Sequence, residues 1–217
     1  NEALLIYNQK VQTTFSKTSG NVTFKVQYPE NITCGMPTTF KLSSEGTTDK
    51  VQYALYSLTT EDGTIVYDTS YGSNGKYFSK DSFDFTFYAS GTYYIRFAIM
   101  DTGVSPYVWF NTGLYGIKLV IDDKGYPTVE NVVADLKAQC EKTCTTDFEK
   151  AVWFNDWLVE NCRYDSSYSY CAPEGALARG SGTCEAYHRA YVMLLNSVGI
   201  ATDRISGDGH VWTGVQL

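Results

Sequence analysis

Charge is scarce in this chain. Asp, Glu, Lys and Arg make up 19% of the residues, and the balance is acidic, with a formal net charge of −7. Nucleic acid and anionic membrane surfaces both call for clustered Lys and Arg, so neither is expected as a partner. No apolar run reaches the roughly 18 residues that a membrane-crossing helix needs, and no membrane span is expected. Six cysteines in 217 residues are too few for a disulfide framework. Histidine is scarcer still, with His188 and His210 the only two. No internal sequence repeat is evident in the first half.

Apolar residues make up 43% of the chain and Tyr is abundant, with 18 copies. The length is enough to bury a real core in one large or two modest domains. Tyrosine and β-branched residues suit sheet surfaces, and such a mix is common in extracellular proteins.

Residues 1–122 read as strands. In "NVTFKVQY", Val22, Phe24, Val26 and Tyr28 alternate onto one face, the period of a half-buried strand. "VQYALYSLTTEDGTIVYDTSY" reads as a hairpin turning at Asp62-Gly63, and "FDFTFYASGTYYIRFAIMD" as another turning at Ser90-Gly91. With "YVWFNTG" and "YGIKLVID", about seven or eight short strands predict an all-β antiparallel sandwich, immunoglobulin-like in the broad sense.

The period changes after "DDKGYP", and residues 128–217 are expected to form a second, α+β domain. Thr128 can cap a helix on which Val129, Val132, Val133, Leu136 and Cys140 share a face. Thr146 and Glu149 have the spacing of a capping box, and Phe148, Val152, Trp153, Trp157 and Leu158 form the apolar stripe expected behind it. A third helix starts near Cys184 and ends at Gly199, and "IATDRISG" and "HVWTGVQL" follow as strands.

Cys184 stands where that third helix begins, in "GSGTCEAYHRAYVMLLNSVGI". A thiol becomes a useful nucleophile when its ordinary pKa near 8.5 is lowered. The unpaired N–H groups and dipole of a helix start favour the thiolate, and the same N–H groups can hold an oxyanion. Gly180 and Gly182 would let substrate and backbone approach closely. A general base is then needed, and either histidine is a candidate. His188 lies one turn along the same helix, whereas His210, in "GDGHVW", lies on a separate strand and can face the thiol across a cleft. Against both stands the plainer reading of Cys184 as a buried small hydrophobe and His210 as an ordinary strand residue.

Three blocks, "DFEKAVWFNDWLVENCRYD", "GALARGSGTCEAYHRAYVMLLNSVGI" and "GDGHVW", taken in order, resemble the transglutaminase-like, papain-related cysteine enzymes of bacterial secreted proteins. The resemblance covers about residues 130–217. It implies Cys184 as nucleophile and His210 as base, with His188 left to packing or the surface. It also implies a papain-like α+β core and Tyr164, Gly182 and Trp212 as candidates for the substrate cleft. The family's third catalytic residue is an Asp on a strand beyond the His. Only seven residues follow His210 here, so the domain is expected to be incomplete at its C-terminal end. Asp208, read as part of the same strand as His210, is not placed to orient the imidazole, and Asp203 is read as lying in a turn.

The activity implied by the resemblance is cysteine-dependent acyl transfer or hydrolysis on protein or peptide amides, cell-wall peptide included, in a secreted or cell-surface bacterial protein. A catalytically inactive interaction module that keeps the fold is the alternative. No cofactor is expected. Zinc is a weak reading of Cys140 and Cys144, which lack a nearby His and a second tight pair. A disulfide from the helix junction to the Tyr164–Tyr170 loop is the stronger expectation in a secreted protein.

Overall fold

A computed structural model of the protein describes residues 10–67 and 80–217. The described residues form two compact units, 10–63 with 80–125, and 64–67 with 126–217.

The first unit is built from antiparallel strands. One sheet has the order β1 (Gln12–Ser19), β2 (Val22–Pro29), β3 (Pro37–Glu45) and β6 (Ser82–Thr86). The alternation in β2 buries Val22, Phe24 and Val26 as the period requires. In the other, β4 (Val51–Thr60) pairs with one edge of β7 (Gly91–Asp101), and β8 (Val108–Asn111) and β9 (Ile117–Ile121) pair with successive stretches of β7. The inner faces meet through rings, Phe24 on Tyr53 at 5.9 Å and Phe40 on Phe97 at 5.4 Å between centroids. The turn after β4 falls where Asp62-Gly63 predicts it, with Gly63 at φ 86°. Residues 68–71 of that expected hairpin lie outside the described residues.

The second expected hairpin does not form. β6 pairs with β3, Phe83 opposite Phe40, while β7 pairs with β4, Ile95 opposite Leu58. The segment between them passes from one sheet to the other. Period-2 alternation tells which side chains point inward, but it does not choose the partner strand. The crossing is anchored by Phe87 and Ala89, both fully buried, and by the Tyr93 hydroxyl, which donates to the Ala89 carbonyl at 2.9 Å.

The second unit contains β5 (Ile65–Tyr67), whose Tyr67 bridges Tyr170. It continues with α1 (Val129–Cys140) and α2 (Asp147–Asn161), then the short parallel pair β10 (Arg163–Tyr164) and β11 (Ser181–Gly182). After β11 come α3 (Cys184–Ser197) and the hairpin of β12 (Thr202–Gly207) and β13 (His210–Val215). Both predicted caps are present, Thr128 on α1 and the reciprocal Thr146–Glu149 box on α2. Four hydrogen bonds from Thr145 and Thr146 hold the Glu149 carboxyl down at about 2.

On α2 the buried face differs from the expected stripe. Leu158 is buried as expected, but Phe148 and Val152 are 64% and 42% exposed, and Ala151 and Phe154 face the core in their place. Bulk alone suggests the stripe, but the close approach uses the small residue: Tyr191 of α3 donates its hydroxyl proton to the Ala151 carbonyl at 2.9 Å. Trp153 and Trp157 pack at the rim of this core. The expected disulfide is not formed. Cys162 and Cys171 direct their sulfurs to the Arg163 and Ser169 carbonyls, each at 3.5 Å. Cys140, buried beside Cys144, has its thiol pushed up to about 12 by burial first and by that neighbour second.

Candidate active site

Cys184 opens α3, as its position after two glycines suggests, but the glycines serve the backbone. Gly180 has φ 70° and ends a π-helical turn, Gly175–Arg179, by donating its N–H to Gly175 O. Gly182, expected at the substrate cleft, is buried on β11 instead. A Cβ there would stand 2.5 Å from that of Ala186, so its small size lets the first turn of α3 pack onto β11. The residue between Gly182 and Cys184, Thr183, takes the N-cap position without a side-chain cap, and its buried hydroxyl has no hydrogen-bond partner. The first turn of α3 is therefore uncapped by side chains, which leaves its N–H groups for other acceptors.

The parallel pair β10–β11 sets Tyr164 opposite Gly182, beside the thiol. Burial first, then the neighbouring Cys184 thiol, raises the pKa of the Tyr164 hydroxyl. The strand bearing Tyr164 is braced by Asp165. That carboxylate accepts from Arg179 at 2.8 Å and from Ser167 N at 2.9 Å. Burial pushes its pKa up, but these hydrogen bonds win and hold it below the ordinary range.

His210 is the first residue of β13. The turn before it is made by Asp208 and Gly209, with φ of 51° and 72°, the positive pair of a two-residue hairpin. Asp208 is thus a turn residue and not, as its sequence position suggests, a strand neighbour of His210. Asp203 makes the opposite change: it lies on β12 and accepts from Gln216 Nε2 at 2.8 Å. The imidazole of His210 has two ring neighbours, Tyr164 nearly parallel at 6.4 Å and Trp212 edge-on at 4.8 Å. These aromatic contacts limit the orientations open to the ring.

Tyr164, Cys184, His210 and Trp212 line one cleft of about 360 Å³. That is room for an amino-acid side chain with flanking backbone. Sequence reasoning missed much of the remaining lining, including Asn155, Tyr187, Tyr191 and Thr213. Tyr187 and Tyr191 could have been found, because they fall three and seven residues after Cys184 on one helical face. His188 shares the cleft, with Nδ1 at 2.8 Å from Thr213 Oγ1. Burial, then the charges of Arg204 and Arg189, lowers its pKa despite Glu185 nearby. Beside the thiol, Glu185 accepts from Arg189 and Arg204, which outweigh burial and hold its carboxyl below the ordinary range. Among the described residues no group of three or more Cys, His, Asp or Glu side chains gathers as a metal site, and no helix is long and apolar enough to cross a membrane.

Residues 134–217 match the family model of the transglutaminase-like superfamily. This part of the chain is a transglutaminase-like domain. Such a domain points in general to cysteine-dependent acyl transfer or proteolysis. Comparison with curated proteins found no match. The transglutaminase-like domain contains every residue that lines the cleft.

Proposed function

We propose that residues 128–217 act as a cysteine acyltransferase or amidase on protein or peptide substrates. Cys184 is the nucleophile, His210 the base, and Tyr164 and Trp212 form the walls against which substrate lies. Cys184 Sγ attacks a carboxamide or peptide carbonyl, and His210 takes the thiol proton. The tetrahedral intermediate places its oxyanion at the uncapped first turn of α3, where N–H groups can receive it. The C–N bond breaks, His210 returns its proton to the leaving amine, and a thioester remains on Cys184. Water then releases the acyl group as an acid, or a primary amine takes it as a new amide. The observation that carries this reading is the meeting in one cleft of a thiol at a helix start and an imidazole in contact with two rings.

Residues 1–122 are an immunoglobulin-like spacer or interaction domain in the same proposal. Two antiparallel sheets with aromatic inner faces support it, as does the Tyr93 hydroxyl bonded back to Ala89, a contact like the tyrosine corner of such domains. A secreted or cell-surface bacterial setting is proposed from the family resemblance and the lightly charged, tyrosine-rich composition. A second reading, a non-catalytic interaction module, is favoured by one fact: among the described residues no Asp or Glu lines the cleft to orient His210.

The deciding assay uses a glutamine-containing peptide, with and without a fluorescent primary amine, and follows ammonia release, amine incorporation and chain cleavage. The intact protein is expected to turn over in at least one of these, and Cys184→Ala to fall to background. Equal rates from both would leave the module as the reading.

A further inference from the structure

The hairpin that carries His210 is a two-stranded sheet of its own, and all of β12 beyond Thr202 is exposed. Such a ribbon has little to hold it in place by itself. Besides the buried Val211 and the partly buried Val215, two polar side-chain contacts tie it to α3, one from each strand. Arg204 of β12 sends Nη1 and Nη2 to the two carboxylate oxygens of Glu185, at 2.9 and 2.7 Å. Thr213 of β13 meets His188 Nδ1 at 2.8 Å. Arg204 and Thr213 are themselves directly opposite in the hairpin register, so the two contacts act at one level of the ribbon. On the helix, Glu185 follows Cys184 directly and His188 lies one turn further. Glu185 is fixed in its turn by Arg189 Nε at 2.7 Å, and Arg189 reaches Thr64 Oγ1 at 3.3 Å.

We infer that the Arg204–Glu185 and Thr213–His188 contacts are a latch: they seat the β12–β13 hairpin on α3 and thereby set the position of His210 relative to Cys184. The four side chains are positioning residues that touch neither the substrate carbonyl nor the proton in flight. The inference rests on the proposed Cys184–His210 dyad. Its physical basis is that the bidentate fork fixes angle as well as distance, while the hydroxyl–imidazole contact stops the ribbon from pivoting about that fork. Thr213 is three residues from His210, about 10 Å along the strand, so a small tilt at the latch moves the imidazole.

The test compares Arg204→Lys, Thr213→Val and the double variant, each with and without His210→Ala. Lysine keeps the positive charge but loses the two-point fork. The readouts are the neutral-pH rate of Cys184 alkylation, assigned by peptide mapping, and the melting temperature. A misplacement of about 1 Å can cost about 100-fold in a reaction rate. The double variant is therefore expected to react about tenfold more slowly than the parent, at temperatures well below its melting point. In the His210→Ala background the same substitutions should change nothing further, since no imidazole remains to be misplaced. An unchanged rate in the double variant, or an equal fall in both backgrounds, overturns the latch. If His210→Ala alone leaves the rate at the parent value, the dyad reading is what fails, and the latch falls with it. If His210→Ala slows alkylation and the double variant does not, the latch alone fails.

Discussion

His210→Ala is expected to lower kcat/KM for the proposed acyl transfer by about 10²- to 10⁴-fold, the range for losing a positioned general acid–base group, with little change in melting temperature. His210 is half-buried, and its neighbours in the structure are the rings of Tyr164 and Trp212. The hairpin does not depend on the imidazole. Its turn is made by Asp208 and Gly209, and its ladder runs from Thr202–Val215 to Gly207–His210. The loss should therefore appear in the chemical step and not in the amount of folded protein. Steady-state turnover of a glutamine peptide, read beside a thermal melt, separates the two. Undiminished turnover would move the role of base to His188, the other histidine in the cleft.

Phe154→Ala is expected to cost about 3–5 kcal/mol of stability, a large part of the roughly 5–15 kcal/mol typical of a folded domain. Phe154 is fully buried on α2, packed edge-on against Trp153 at 5.4 Å, in the cluster that also holds Leu136, Leu158 and Leu194. Truncation leaves a cavity among three helices that cannot all collapse into it. Tryptophan fluorescence in a urea titration reports on this core, because Trp153 and Trp157 border it. The midpoint should fall with little change in slope. A cost below about 1 kcal/mol would fit a surface position and not a core one.

The helices of the second unit are legible in the sequence because their signals are local. A capping box needs only Thr146 and Glu149 three residues apart, and a helix end needs only a glycine that tolerates positive φ, as Gly199 does at 81°. The strands of the first unit are legible one by one, but pairing is a long-range choice. The Ser90-Gly91 turn signal suits a hairpin, yet the chain crosses between sheets there, with Phe87 and Ala89 fully buried. On α2 size misleads: Phe148 and Val152 look like core, while Ala151 makes the approach to Tyr191. At the site, Cys184 and His210 stand out through residue type and spacing. Gly182 looks like an opening for substrate, but its space is filled by Ala186. The contacts of Glu185 with Arg204 and of His188 with Thr213 join residues 19 and 25 positions apart, beyond any local pattern.

The central claim is that Cys184 and His210 work as a pair. Its most direct test is the rate of Cys184 alkylation by iodoacetamide near pH 7, followed by peptide mapping so that the other five cysteines are counted separately, in the parent protein and in His210→Ala. A paired thiol predicts fast modification at Cys184 that slows at least tenfold when the imidazole is removed. Slow modification at the same rate in both proteins would contradict the pairing.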